Sequence, residues 1–150
     1  MKKLLSFFCL AVVCCTVLQA QKLTTNKVPA QVGKAFRDKF PQAQQDSWSM
    51  EGTNYEVEFF NAKKKQSAIF DATGKWLETE TETQFNQLPH AVMQGFNKEF
   101  ADFKVNEVNE VETLDNGTVY EIDVAKGREL YTATFSDKGE LLKKEKPTDE

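Results

Sequence analysis

An internal repeat is the feature that most constrains this chain. YEVEFF at 55–60 returns as YEIDV at 120–124, and FDATGKWL at 70–77 returns as FSDKGELL at 135–142, both at a spacing of 65 residues. Recurrence at a fixed spacing predicts two copies of one folding unit rather than two unrelated domains. The fold must therefore contain the same arrangement of helices and strands twice.

Each copy opens with a predicted amphipathic helix. Apolar residues recur every four positions at Val28, Val32, Phe36 and Phe40, and again at Leu88, Val92, Phe96 and Phe100. This spacing places them along one side of a helix. Pro29 suits the first turn of the first helix, and Pro41 ends that helix after Phe40.

Four short strands are predicted after each helix, at 46–51, 54–60, 65–71 and 75–81, and at 105–114, 118–125, 129–136 and 140–146. Turn signals such as Asn116-Gly117 separate them. Within 105–114 the apolar residues recur every three positions, which predicts either a β-bulge or a short helical turn.

Alternation along 54–60 assigns the two faces of the predicted sheet. Tyr55, Val57 and Phe59 point one way, and Glu56, Glu58 and Phe60 point the other. We expect the helices to cover the first set, so that the second set lies on an uncovered face.

The candidate binding residues are the aromatic and acidic side chains expected on that uncovered face: Glu56, Glu58, Phe60, Trp76, Glu121 and Asp123. Trp76 is included because its neighbour Leu77 is expected to point inward. Exposed aromatics can anchor a partner, and carboxylates at i, i+2 suit cation binding or acid–base chemistry. Alternating acids are also typical of any half-exposed strand, so a simple solvated face is the competing interpretation.

No set of residues specifies a reaction. His90 is the only histidine, so neither a zinc site nor a Ser/His/Asp triad can be assembled. We therefore predict a protein that is not an enzyme and that needs no cofactor or metal. The formal net charge of −4 also disfavours nucleic acid as a partner.

Residues 1–20 have the layout of a secretory signal peptide. Lys2 and Lys3 precede an apolar run of about 15 residues, and Ala20 precedes Gln21. The run is too short to be retained as a membrane-spanning helix. We predict cleavage after Ala20 and a periplasmic or secreted location.

The three cysteines, Cys9, Cys14 and Cys15, all lie in that segment, so the predicted mature chain has none. A lipid anchor on Cys14 or Cys15 would tether the chain to a membrane. Such signals place Gly, Ala or Ser before the modified cysteine, whereas Val13 precedes Cys14 here. We therefore expect no lipid anchor.

Three patterns together resemble the PepSY-like family of bacterial envelope proteins, which is similar to the β-lactamase inhibitory protein. They are the Val/Leu-Pro start of each helix, the Tyr-acidic-aliphatic-acidic strand and the Phe-x-x-x-Gly-x-x-Leu hairpin. The resemblance spans residues 21–83 and 84–150 as two copies. It implies an α+β fold, in which each repeat is a helix plus a four-stranded antiparallel sheet. The repeats would join into one curved sheet with both helices on one face.

These motifs are patterns of fold rather than of chemistry, so no binding residue of the inhibitor can be transferred. The favoured function is an exported, non-enzymatic module that binds a protein or peptide of the cell envelope through the uncovered face, in the inhibitor-like way that the resemblance implies. The alternative is a binder of a small ligand, glycan or cation that uses the same carboxylates and aromatics. Because half-chains of about 60 residues bury too little surface to fold well alone, we expect one cooperative unit.

Overall fold

The computed structural model describes residues 23–24, 27–115 and 117–146, and the predicted signal peptide lies outside this part. It contains two helices, α1 (Ala30–Lys39) and α2 (His90–Phe100), and a 3₁₀ turn at Phe85–Gln87 before α2. The strands are β1 (Gln44–Glu51), β2 (Asn54–Asn61), β3 (Lys64–Phe70), β4 (Trp76–Glu82), β5 (Lys104–Thr113), β6 (Gly117–Lys126), β7 (Glu129–Ser136) and β8 (Leu141–Glu145).

All eight strands form one open antiparallel sheet in chain order, from β1 to β8. The strands β4 and β5 pair with each other although α2 lies between them in the sequence. The fold is therefore α+β, with a single sheet and two helices. The predicted helices and strands all occur, with ends that differ by a few residues.

Each helix buries the apolar stripe that its spacing predicts. In α1 the buried residues are Val32 and Phe36, and in α2 they are Val92, Phe96 and Phe100. Pro29 and Pro89 stand directly before the two helices, where a missing backbone N–H costs nothing.

The helices pack over two separate hydrophobic clusters. The α1 cluster includes Trp48, Val57, Phe59, Ala68 and Phe70 from the sheet. The α2 cluster includes Val108, Tyr120, Ile122, Val124, Ala133 and Phe135. The expected inward set of β2 is thus confirmed, and Tyr120, Ile122 and Val124 take the equivalent places in β6.

Strand register shows that both helices lie on the same side of the sheet. Ala68, under α1, is directly opposite Thr79, and Thr79 is opposite Glu112. Two residues before Glu112, Glu110 is opposite Tyr120, which lies under α2. Directly opposite residues share a face. No helix of the described residues covers the other side, which we call the uncovered face.

The turn between β7 and β8 packs tightly against α2. Gly139 has a φ of 79°, and an added Cβ there would collide with the carbonyl oxygen of Ala91. A Cβ on Gly95 of α2 would collide in turn with the carbonyl oxygen of Gly139. The glycine of the Phe-x-x-x-Gly-x-x-Leu pattern is therefore required for this contact.

The three-residue apolar spacing of β5 is explained by a bulge. The register shifts between Val105 and Glu107, so Val105 and Val108 both reach the α2 cluster. Val111 then falls on the uncovered face, directly opposite Val119. Of the two predicted explanations, the bulge is correct and the helical turn is wrong.

Candidate functional site

The uncovered face is densely acidic. Its acidic residues come from both halves of the sheet: Glu51, Glu56, Glu58, Glu78, Glu80, Glu82, Glu107, Glu121, Asp123 and Glu145. They share one face because the side chains alternate along each strand and the register aligns the strands. Three lysines, Lys65, Lys104 and Lys143, also lie on this face.

Five of the six predicted binding residues lie on this face, at the positions that alternation predicts. Phe60, which lies near the end of β2, is 42% exposed, and this exposure is high for a large apolar side chain. Glu58 is exposed, whereas Glu56, Glu121 and Asp123 are half-buried.

Four of these carboxylates have partners from neighbouring strands. The Ser49 hydroxyl donates to Glu56 at 2.9 Å, and Lys65 lies 3.5 Å from Glu58. The Thr134 and Thr132 hydroxyls donate to Glu121 and Asp123, at 3.3 and 2.7 Å. Cross-strand hydroxyls thus orient the half-buried acids.

The predicted place of Trp76 on the uncovered face is wrong. Its ring packs against the α1 cluster, with the Lys39 ammonium 3.7 Å from the ring centroid. Its indole N–H donates to the hydroxyl of Thr79, a buried residue of the helix side, at 2.9 Å. The cause is a register shift between Ile69 and Phe70, which places Phe70 opposite Trp76. A shift of one residue exchanges the two faces of a strand.

Sequence reasoning missed the acids of β4: Glu78, Glu80 and Glu82. They alternate with threonines in LETETET at 77–83. That alternation was the available signal, since a period of two is typical of a strand with one polar face. These residues fill the gap between the acids of β2 and those of β6.

Glu80 has the most perturbed environment on the uncovered face. It is half-buried, directly opposite Ser67 of β3 and Val111 of β5. Burial raises the pKa of Glu80 to about 7, and the negative charges of Glu121, Glu78, Glu56 and Glu51 contribute further.

Two neighbours are perturbed in the same direction. Burial, followed by the charges of Glu51, Glu121 and Glu56, raises the pKa of Glu78. Burial also raises the pKa of Glu121, although the hydrogen bond from Thr134 and the charge of Lys143 oppose the rise. The centre of the face therefore favours protonated carboxyl groups over bare carboxylates.

A small depression and a wider cleft lie on this face. The depression, of about 120 Å³, is lined by Glu56, Glu58, Lys65, Gln66, Ser67, Glu80, Glu82, Glu107 and Asn109. It is smaller than the roughly 300–1,000 Å³ typical of drug-sized ligand sites. Phe60 lines the cleft, of about 670 Å³, together with Gln42, Gln44, Ala62 and Lys63.

Two further observations concern metal and membrane. Within the described ranges, no group of three or more His, Cys, Asp or Glu is arranged to hold a metal ion. His90 is exposed at the start of α2. Neither helix that the structure describes is long and apolar enough to cross a membrane.

Comparison with known sequences identifies one family. The sequence model of the family described as "Putative beta-lactamase-inhibitor-like, PepSY-like" matches the chain twice, in residues 16–64 and 53–143. A comparison with curated proteins found no match.

Several solved structures with the same fold come from Bacteroides species. A BLIP-like protein from Bacteroides fragilis is 26% identical, with a TM-score of 0.73, over 81% of this chain and 88% of that one. A protein from Bacteroides eggerthii, described as a "putative periplasmic" protein, is 25% identical with a TM-score of 0.75, over 79% and 88%. A DUF2874 family protein from Bacteroides uniformis, at 22% identity, matches in fold with a TM-score of 0.75, over 79% and 88%.

Proposed function

This chain belongs to the PepSY-like, β-lactamase-inhibitor-like family, and we propose that it is an exported, non-enzymatic module that binds a protein or peptide of the cell envelope through its uncovered face. The binding is inhibitor-like in the sense that a folded surface occupies a site on the partner. The proposed contact residues are Glu56, Glu58, Phe60, Glu121 and Asp123.

The observation that carries this proposal is an acidic sheet face with an exposed aromatic at its end. Phe60 follows Glu58 by two positions on β2, so the two side chains are neighbours on that face. Aromatic side chains are enriched among the anchors of protein interfaces, and a polar rim surrounds them. Because the acidic residues of this face far outnumber its three lysines, a partner segment rich in Lys or Arg is the complementary one.

Export is the second part of the proposal. It is supported by the signal-like residues 1–20 and by the similarity to a protein described as periplasmic. Mass spectrometry of the exported protein tests it, with Gln21 as the expected first residue. A mass that retains Cys14 or Cys15 with a lipid group would contradict release as a soluble protein.

We further propose that residues 21–83 and 84–150 are tandem repeats that form one cooperative unit with a curved sheet. In the described chain a helix precedes each set of four strands, and β4 pairs with β5 across the boundary.

Matched double variants test the binding face. Glu56→Gln with Glu58→Gln removes two charges from the uncovered face, whereas Glu110→Gln with Glu112→Gln removes two exposed charges from the helix side. Once a partner is captured from an envelope extract and purified, its Kd is measured against each. We expect the Glu56/Glu58 double variant to bind the partner more weakly and with a smaller salt dependence than the wild type. The Glu110/Glu112 double variant should match the wild type in affinity and in salt dependence.

Phe60→Ala should weaken the same complex by more than about fivefold if Phe60 is an anchor. The partner would bind elsewhere on the protein if the two double variants lost the same affinity. The same conclusion would follow if Phe60→Ala and the Glu56/Glu58 variant both kept full affinity.

One observation favours a second candidate, a binder of a small ligand or glycan. The cleft beside Phe60 falls within the size range of ligand sites, and Gln42 and Gln44 add hydrogen-bonding groups to its aromatic wall. Such a ligand should lose binding with Phe60→Ala but not with the Glu56 and Glu58 pair.

A further inference from the structure

The middle of the uncovered face holds a carboxylate with no compensating group. Glu80 lies in mid-strand on β4, the fourth of eight strands, with Ser67 on one side and Val111 on the other. Val111 is only 2% exposed, so one neighbour of Glu80 is a dry apolar side chain. The side-chain carboxylate of Glu80 forms no hydrogen bond or ion pair with any described residue.

The charged groups that face Glu80 are mostly negative. They are Glu78 and Glu82 on β4, Glu51, Glu56 and Glu58 on β1 and β2, Glu107 on β5, Glu121 and Asp123 on β6, and Glu145 on β8. The basic groups on this face are Lys65 of β3, Lys104 of β5 and Lys143 of β8. Lys104 lies at the far end of β5, seven residues from Val111, the residue opposite Glu80.

Lys65 and Lys143 are already engaged by other acids. Lys65 lies 3.5 Å from Glu58, and Lys143 lies 2.7 Å from Glu145. An acid that is half-buried, surrounded by like charges and without a donor is more stable when it is neutral.

We propose that Glu80 is the proton-binding residue of a pH-sensitive switch at the centre of the uncovered face. It takes up a proton as the pH falls. The loss of that charge stabilises the fold and weakens the attraction of the face for cationic groups. The part that concerns cations rests on the proposed function, whereas proton uptake does not.

The direction of the stability effect follows from proton linkage. The folded protein holds the Glu80 proton with a pKa of about 7, above the ordinary value of 4.5 that applies to the unfolded chain. Its contribution to stability is therefore fully present below pH 4.5 and is lost as the pH rises through 7. Between pH 8 and pH 5, this residue alone should raise the folding equilibrium constant by roughly 10- to 70-fold.

The first experiment follows the carboxyl carbon of Glu80 by NMR in the intact protein between pH 4 and pH 9. We expect its titration midpoint near 7. A midpoint below about 5.5 would overturn the proposal, because the group would then titrate like an ordinary surface glutamate.

The second experiment measures urea unfolding at pH 5 and pH 8 for the wild type, Glu80→Gln and Glu82→Gln. Glu82 is the matched control because it lies two residues away on the same face but is exposed. Glu80→Gln should lose most of the rise in folding constant on acidification, and Glu82→Gln should keep it. If Glu80→Gln keeps the full rise, the switch is not at Glu80.

An oligolysine peptide, measured at pH 8 and pH 6, tests the consequence for binding. Its affinity for the wild type should fall at least threefold at pH 6, and its affinity for Glu80→Gln should fall by a clearly smaller factor, because Glu78 and Glu121 are then the acids with raised pKa values on this face. An equal fall in both proteins would overturn the link between the proton and the face. If oligolysine binds at neither pH, the basic partner of the proposed function is wrong, and the NMR midpoint still decides proton uptake.

Discussion

Two adjacent phenylalanines of β2 provide a sharp test of how the sheet is covered. Phe59 is 1% exposed, and its ring lies 4.6 Å from that of Phe40 and 5.1 Å from that of Phe36. Phe59→Ala leaves a cavity under α1, and a truncation of this kind costs about 3–5 kcal/mol. Phe60 is 42% exposed on the opposite face, so water fills the space that Phe60→Ala leaves. Phe60→Ala therefore removes only a small buried apolar area, and it should lower the free energy of unfolding by about 1 kcal/mol.

Trp76→Ala should fall between the two, at about 2 kcal/mol, because the ring is half-buried against the α1 cluster and under Lys39. Urea denaturation followed by circular dichroism measures all three variants, and the shift in midpoint at constant slope gives each change in the free energy of unfolding. A loss for Phe60→Ala within 1 kcal/mol of that for Phe59→Ala would mean that something covers the uncovered face. The placement of the binding residues would then be refuted.

Three further predictions concern the turns, the helices and the boundary between the halves. Gly95→Ala should destabilise the protein by about 1–3 kcal/mol, because the added Cβ meets the backbone of the β7–β8 turn. Gly33→Ala should stabilise the protein by up to about 1 kcal/mol, because its Cβ meets only the flexible Arg37 side chain. Thermal melting of the two variants distinguishes these outcomes. Ala62→Asn with Lys63→Gly should stabilise by about 1–2 kcal/mol, since both residues have positive φ, 49° and 68°, which Asn-Gly tolerates better; an unchanged melting temperature would show that the turn is not strained. Half-proteins cut at Asn86 should be largely unfolded by circular dichroism, because each keeps only about 60 residues and gains an unpaired strand edge; two sharp, independent melting transitions would contradict this.

The hydrophobic pattern of the sequence was sufficient to predict the helices, the strands and most of the face assignments. Val and Phe at every fourth residue lie on one face of a helix, and the alternation in YEVEFF divides its side chains between the two faces of a strand. The β2 assignment held because β2 is regular and pairs with β3 without a shift.

The failure at Trp76 has a local cause. The register shift between Ile69 and Phe70 leaves no mark in an alternation pattern, yet it moves Trp76 to the helix side. In β5 the three-residue spacing did signal an irregularity, but only the structure distinguishes the bulge from a helical turn.

The residues next to Glu80 in the sequence do not indicate its raised pKa. Its sequence neighbours show a polar, alternating strand, and the burial that perturbs it comes from β3 and β5 on either side. The carboxylates that add to the effect include Glu121, from a strand on the far side of α2 in the sequence. Such a cluster becomes visible only when the register of the whole sheet is known.

Site-specific photo-crosslinking in living cells is the most direct test of the central claim, that the uncovered face holds a protein partner. A photoreactive amino acid replaces Phe60 on the uncovered face in one protein and Gln94, an exposed residue of α2, in a matched control. Illumination should give a discrete adduct of higher mass from position 60, which the Glu56→Gln and Glu58→Gln pair reduces, and none from position 94. Adducts from position 94 with none from position 60 would contradict the claim and place the partner on the helix side.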